Sequence, residues 1–180
     1  MRLLSILKEK AYEKRDVTLA SGRKSNFYTD VKRVSLTPEG AVLIGQGLFQ
    51  LLQKYFPDAK AVGGLTLGAD PLVTAVSYTS QLEEAPLEAF IVRKEAKAHG
   101  TGKIIEGGYR LSPGTPVVIL EDVVTTGGSG LEAARKVKDH GWKVLGICAV
   151  VDREEGGREN IEKEGFKLYS LYRKSDFETL

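Results

Sequence analysis

Cysteine occurs once in the 180 residues, at Cys148, so no internal disulfide holds the fold together. Cys148 lies within an apolar run over residues 144–151, where a thiol behaves as a small hydrophobe, and a reducing compartment suits it. Methionine is confined to Met1 and asparagine to Asn26 and Asn160, a shortage of side chains that degrade on heating. No apolar stretch approaches the ~20 residues that cross a bilayer as a helix. Residues 1–7 lack the basic, apolar and small-residue regions of a secretory leader. The expectation is a cytoplasmic protein without membrane contact. Neither charge is in excess: 26 Lys and Arg stand against 24 Asp and Glu, which gives a net of +2 and no bulk field for nucleic acid. Any anion site has to be local.

What is present is globular composition, 42% hydrophobic and 28% charged, at a length that suits one domain over residues 1–180. Leu3, Leu4 and Leu7, followed by the mixed charges of residues 8–14, predict a short amphipathic helix. Thr37 before Pro38 marks a helix start, and the apolar spacing through Val42, Leu43, Leu48, Leu51 and Leu52 carries that helix to about Tyr55. Aromatic and β-branched residues predict extended chain over 27–31 and 34–36, after a turn at 21–24. From residue 61 the pattern alternates: strands at 61–64, 87–92, 117–120 and 144–151, a helix after Pro71, and another over about 129–140. Gly141 is a stop for that helix, and His140 beside it reads as structural. Such alternation predicts an α/β fold with a mostly parallel central sheet and helices on both faces, and ligands at the carboxyl ends of the strands.

The most informative stretch is 117–130, an apolar strand ending in Glu121 and Asp122, then Val123, Val124, Thr125, Thr126, Gly127, Gly128 and Ser129, then a helix. Backbone N–H groups at a helix start, reinforced by the helix dipole, bind phosphate. The two glycines allow close approach, and Thr125, Thr126 and Ser129 add hydroxyl donors. Carboxylates just before that cradle accept ribose hydroxyls and stabilise positive charge on a reacting sugar. A sugar phosphate satisfies both halves. The segment lacks the Gly-Lys-Ser/Thr ending of a nucleoside-triphosphate loop and the spaced glycines of a dinucleotide fold.

This stretch resembles the binding motif for phosphoribosyl pyrophosphate in the type I phosphoribosyltransferases. Other segments are similar to the orotate phosphoribosyltransferases within that family: residues 93–100 to their lid loop, 21–25 with Phe27 and Tyr28 to a small amino-terminal base-binding subregion, and Asp152-Arg153 to a third element. The likeness spans residues 19–158. The lid also makes physical sense alone, since Arg93, Lys94, Lys97, His99 and Lys103 concentrate positive charge beside Gly100 and Gly102, which suits a loop that closes on a polyanion. The resemblance implies a homodimer in which this lid serves the neighbouring subunit's site, with Lys97 and His99 favouring departure of pyrophosphate. It also implies that Thr125, Arg153, Phe27 and Tyr28 meet orotate, and that magnesium arrives with the diphosphate and without a protein cage.

Lys24 and Lys32 are open to either a binding role or simple solvation, the usual state of a lysine near a turn or at a strand end. Three departures from the resemblance stand out: Ala20 and Leu67-Gly68 where many relatives carry Lys and Tyr-Lys, and Glu121 for a frequent Asp. The glycine-rich loop's N–H groups are expected to supply part of the missing attraction. The rival readings are a transferase for another base, which would have no use for Arg153, and a non-catalytic sensor of phosphoribosyl pyrophosphate.

Overall fold

The computed structural model describes residues 2–18, 24–95 and 103–178. The chain opens with α1 (Arg2–Ile6), which runs into a wider π-helical turn over Leu7–Ala11 and then into the antiparallel hairpin of β1 (Tyr12–Thr18) and β2 (Lys24–Thr29). The helical pattern expected to continue through residue 14 stops at Ala11. Tyr12 instead pairs with Thr29 and packs its ring on Phe27, so a tertiary contact overrides the local preference.

A second correction concerns residues 34–36, which are not extended: Lys32–Ser35 form a turn of helix, α2. Two local bonds curl the chain there. The Asp30 carboxylate accepts from the Lys32 N–H at 3.2 Å, and the Thr37 hydroxyl donates to the Val34 carbonyl at 2.8 Å. Thr37 then caps α3 (Pro38–Tyr55) by accepting from Gly40 N–H at 3.1 Å, an arrangement worth about 1 kcal/mol. The apolar stripe of α3, including Ile44, Leu48 and Leu52, is buried against the sheet side of the core.

The remaining elements are β3 (Ala61–Leu65), α4 (Asp70–Leu82), β4 (Glu88–Val92), β5 (Ile105–Gly107), β6 (Pro116–Val124), α5 (Gly128–Asp139), β7 (Lys143–Asp152), α6 (Gly157–Lys163), β8 (Lys167–Arg173) and α7 (Lys174–Glu178); β3, α4, β4, β6, α5 and β7 follow the predicted alternation, and β5, α6, β8 and α7 add to it. The six-stranded sheet has the order β5-β4-β3-β6-β7-β8, and only the short edge strand β5 runs antiparallel to its neighbour. Val118 and Leu120 of β6 pack with α3 and α4, whereas Val117 and Ile119 pack with α5, so both faces of the sheet are covered. Cys148 is buried in the first of these cores, and burial pushes its thiol up to about 12, which leaves it chemically inert.

Strand order reverses next to β3: the chain leaves it toward β4 on one side and returns as β6 on the other. At such a switch point the loops after two neighbouring strands diverge and leave a crevice at their carboxyl ends. Here those loops are residues 66–69 after β3 and 125–127 after β6.

Candidate active site

A cavity of about 440 Å³ occupies that crevice, and Glu121, Asp122, Gly68, Lys94, Ser129 and Lys32 are among the residues lining it. The pleat of β6 separates its two acids. Asp122 turns toward the β3–α4 loop, where one oxygen accepts from the Val123 N–H at 2.8 Å and the other lies 3.8 Å from the Lys32 ammonium. Gly68 presses its backbone against this carboxylate so closely that a Cβ there would fall 2.7 Å from the Asp122 carboxylate atoms. The loop also carries a cis peptide between Thr66 and Leu67, and Thr66 donates its hydroxyl to Asp70 at 2.7 Å.

Glu121 turns the other way, under the start of α5, where a Cβ on Gly130 would sit 3.4 Å from its Cγ. It is 6% exposed, and burial, reinforced by the nearby Asp122 charge, raises its carboxyl to about 8. At neutral pH the pair divides into a mainly protonated Glu121 and a more accessible Asp122, because burial disfavours the charged form of Glu121 and the Asp122 charge adds to that.

The Glu121 shift has a consequence for stability. Its folded-state pKa lies above the ordinary value of 4.5, so its contribution is full below about pH 4.5 and is lost as the pH rises through 8. Glu121→Gln, which cannot ionise, should therefore melt higher than the wild type at pH 8.5, by roughly 5 °C, with the gap narrowing toward pH 5. Melting curves recorded across that range check this; parallel pH profiles for the two proteins would mean that Glu121 ionises normally.

The turn after β6 is built for a close backbone approach. Gly127 adopts φ 82°, a left-handed conformation that favours glycine, and a Cβ there would meet Ile161 at 2.9 Å. No side chain caps α5 and no acid lies in its first turn, so its N-terminal N–H groups keep their attraction for an anion. Support comes from α6, whose Asn160 donates to the Thr126 carbonyl at 3.0 Å. Ser129 of this cradle lines the cavity beside the acids, while Val124 is buried.

On the far side, Arg153 leaves the end of β7 and donates its backbone N–H to the Val124 carbonyl at 2.9 Å. Its guanidinium is buried, donates to the Phe27 carbonyl, and pairs with Glu155 at 3.1 Å. Phe27, expected to meet a base, has its ring in the core: Tyr12 and Phe177 pack on it, and the Arg153 guanidinium lies 5.6 Å from its centre. What Phe27 brings to this region is support for Arg153; Tyr28, on the opposite face of β2, is half-buried. Sequence reasoning missed Arg158, which donates to buried Asp152 at 3.0 Å and to the Leu168 carbonyl at 2.6 Å and so fixes the turn that carries Arg153.

Of the lid, Arg93 and Lys94 are placed, whereas Lys97 and His99 lie outside the described residues. The stem is anchored by Lys136 of α5, whose ammonium donates to the Arg93 and Lys94 carbonyls at 3.1 and 2.7 Å. Residues 93 and 94 are thereby tied to the same helix whose first turn forms the cradle. His140 is the C-terminal cap of α5 and lies edge-on to Trp142, a structural role.

The family described as phosphoribosyl transferase domain matches residues 60–172, the span that holds the acid-tipped strand, the glycine turn and the uncapped helix. The orotate phosphoribosyltransferase of Aquifex aeolicus (strain VF5) is 51% identical over 88% of this chain and 84% of its own length. That of Sorangium cellulosum (strain So ce56) is 47% identical over 98% and 91%. The orotate phosphoribosyltransferase of Mycobacterium tuberculosis H37Rv, solved in complex with 5-phospho-alpha-D-ribosyl 1-diphosphate, superposes with a TM-score of 0.79 at 36% identity, over 99% of this chain and 98% of that one. The chain belongs to the orotate phosphoribosyltransferase family.

Proposed function

We infer that the cavity at the β3–β6 switch point is where this enzyme, a pentosyltransferase of pyrimidine synthesis, moves the phosphoribosyl group of phosphoribosyl pyrophosphate onto orotate to give orotidine 5′-monophosphate and pyrophosphate. An uncapped helix start, two acids and the basic lid stem meet in this one crevice, which supports that role. The cradle from Thr125 to Ser129 takes the 5′-phosphate. Asp122 accepts a ribose hydroxyl and faces the positive charge that grows on the sugar as the orotate ring nitrogen attacks the anomeric carbon and pyrophosphate leaves. Orientation and charge stabilisation supply the catalysis without a covalent nucleophile.

Among the described residues no three His, Cys, Asp or Glu side chains gather into a metal cage. A carboxylate beside a diphosphate fits a magnesium ion held mainly by substrate oxygens, whose charge it would neutralise. Asp122, which lines the cavity, is the carboxylate that would join its hydration shell.

Two copies form the working unit in this reading. The face shared by α3 and α4 carries a groove of about 800 Å³, and Leu36, Val42, Leu67, Tyr78 and Leu82 along it are each more than half exposed. An apolar patch of that kind calls for a partner. Lys32 and Leu67 line both the groove and the cavity, so a second copy on this face would bring its lid toward the site.

Arg153 offers a planar fork to the orotate carboxylate, with Glu155 as the group that would yield it. Arg153→Ala should raise the KM for orotate by roughly tenfold or more and leave that for phosphoribosyl pyrophosphate within about twofold. Steady-state kinetics with each substrate varied, on protein shown to be folded by its melting curve, provide the check. An unchanged orotate KM with a raised sugar-diphosphate KM would remove Arg153 from the base subsite.

A further inference from the structure

The cavity has to hold a polyanion, yet the loop after β3 brings it Leu67 and Gly68 and no cation. A side chain at position 68 would displace Asp122, since even a Cβ would meet its carboxylate at 2.7 Å. Positive charge on this side must come from another element, and α2 supplies it. The Lys32 ammonium is hydrogen-bonded to Asp30 at 2.8 Å and lies 3.8 Å from Asp122, on the cavity wall beside Leu67. Asp30 also accepts the Lys32 backbone N–H, so one carboxylate fixes both ends of the residue. With one ammonium hydrogen on Asp30 and Asp122 beyond hydrogen-bond reach, the lysine retains donors for a ligand.

We propose that Lys32 is a substrate-binding residue that holds the diphosphate of phosphoribosyl pyrophosphate, supplying the cation that the β3–α4 loop does not carry, and that Asp30 is its positioning residue. This rests on the function proposed above. A lysine with the single task of balancing Asp122 would sit in contact with it; this one is held back by Asp30 and faces the cavity. When ribose hydroxyls occupy Asp122, the competing pull on the ammonium falls and the diphosphate oxygens become its nearest anion.

Calorimetry with magnesium pyrophosphate and, separately, with ribose 5-phosphate tests this. Lys32→Gln should weaken pyrophosphate binding roughly 10- to 100-fold and ribose 5-phosphate binding less than about twofold, while Lys32→Arg restores most of the loss. An unchanged pyrophosphate affinity, or an equal loss for both ligands, would overturn the assignment. A second measurement on the wild-type protein needs no variant: magnesium pyrophosphate should shield Lys32 from an amine-acylating reagent, read by mass spectrometry, and ribose 5-phosphate should not. Equal labelling with and without pyrophosphate would count against the role. Wild-type protein that bound no magnesium pyrophosphate would contradict the proposed function itself, whereas binding by the wild type and Lys32→Gln alike would contradict the role of Lys32 alone.

Discussion

Asp122→Asn is expected to lower kcat by roughly 10²- to 10³-fold while moving the KM for phosphoribosyl pyrophosphate by less than about threefold. The asparagine still accepts a hydrogen bond from a ribose hydroxyl, so the ground state keeps most of its contact. What it lacks is the negative charge that stabilises the sugar as it becomes cation-like, a stabilisation that exists mainly in the transition state. The weight falls on Asp122 because Glu121 is mainly protonated at neutral pH. A variant that lost binding and turnover in equal measure would place Asp122 in substrate binding alone.

The second large effect comes from pairing two inactive variants. Lys97→Ala leaves the cradle sound and spoils the lid; a chain carrying both Thr125→Ala and Arg153→Ala has the opposite defect. If each lid serves the other subunit, each homodimer is nearly inactive. A mixed dimer, however, builds one good site from the sound cradle of one chain and the sound lid of the other. Random exchange makes about half the dimers mixed, with one good site of two in each, so activity should recover to roughly a quarter of the wild type if the sites act independently. Differently tagged chains establish that exchange has occurred before the assay. Proven mixed dimers with no recovered activity would mean that the lid closes over its own subunit.

Much of this site is legible in the sequence where local rules and the fold agree. Residues 117–130 spell a buried strand, two acids, a glycine turn and a helix, and each element follows its own residues with little help from elsewhere. The features that could not be read depend on distant approaches. Lys32 looked like a wet lysine near a strand end; only the placement of α2 against β6 brings its ammonium to the cavity. Glu121 and Asp122 looked alike because the pleat that sends them to opposite sides acts through what covers each face, Gly130 for one and Gly68 for the other. Phe27 has the aromatic character of a base-stacking residue, and its burial follows from Tyr12 and Phe177, which lie 15 and 150 residues away. The segment 157–173 was not read as α6 and β8. Its charges and its half-buried pattern suit an edge strand beside a short helix, and neither repeats long enough to stand out.

In the proposed reaction one crevice joins a phosphoribosyl cradle to a subsite for orotate. The most direct measurement is pyrophosphate release by the purified protein, supplied with magnesium, phosphoribosyl pyrophosphate and, in separate reactions, orotate, uracil, adenine, guanine or hypoxanthine. Release should depend on orotate and fall to background with each of the other bases, since none brings a carboxylate to Arg153. Release that ran as fast with a purine as with orotate, or that was absent with every base, would contradict it.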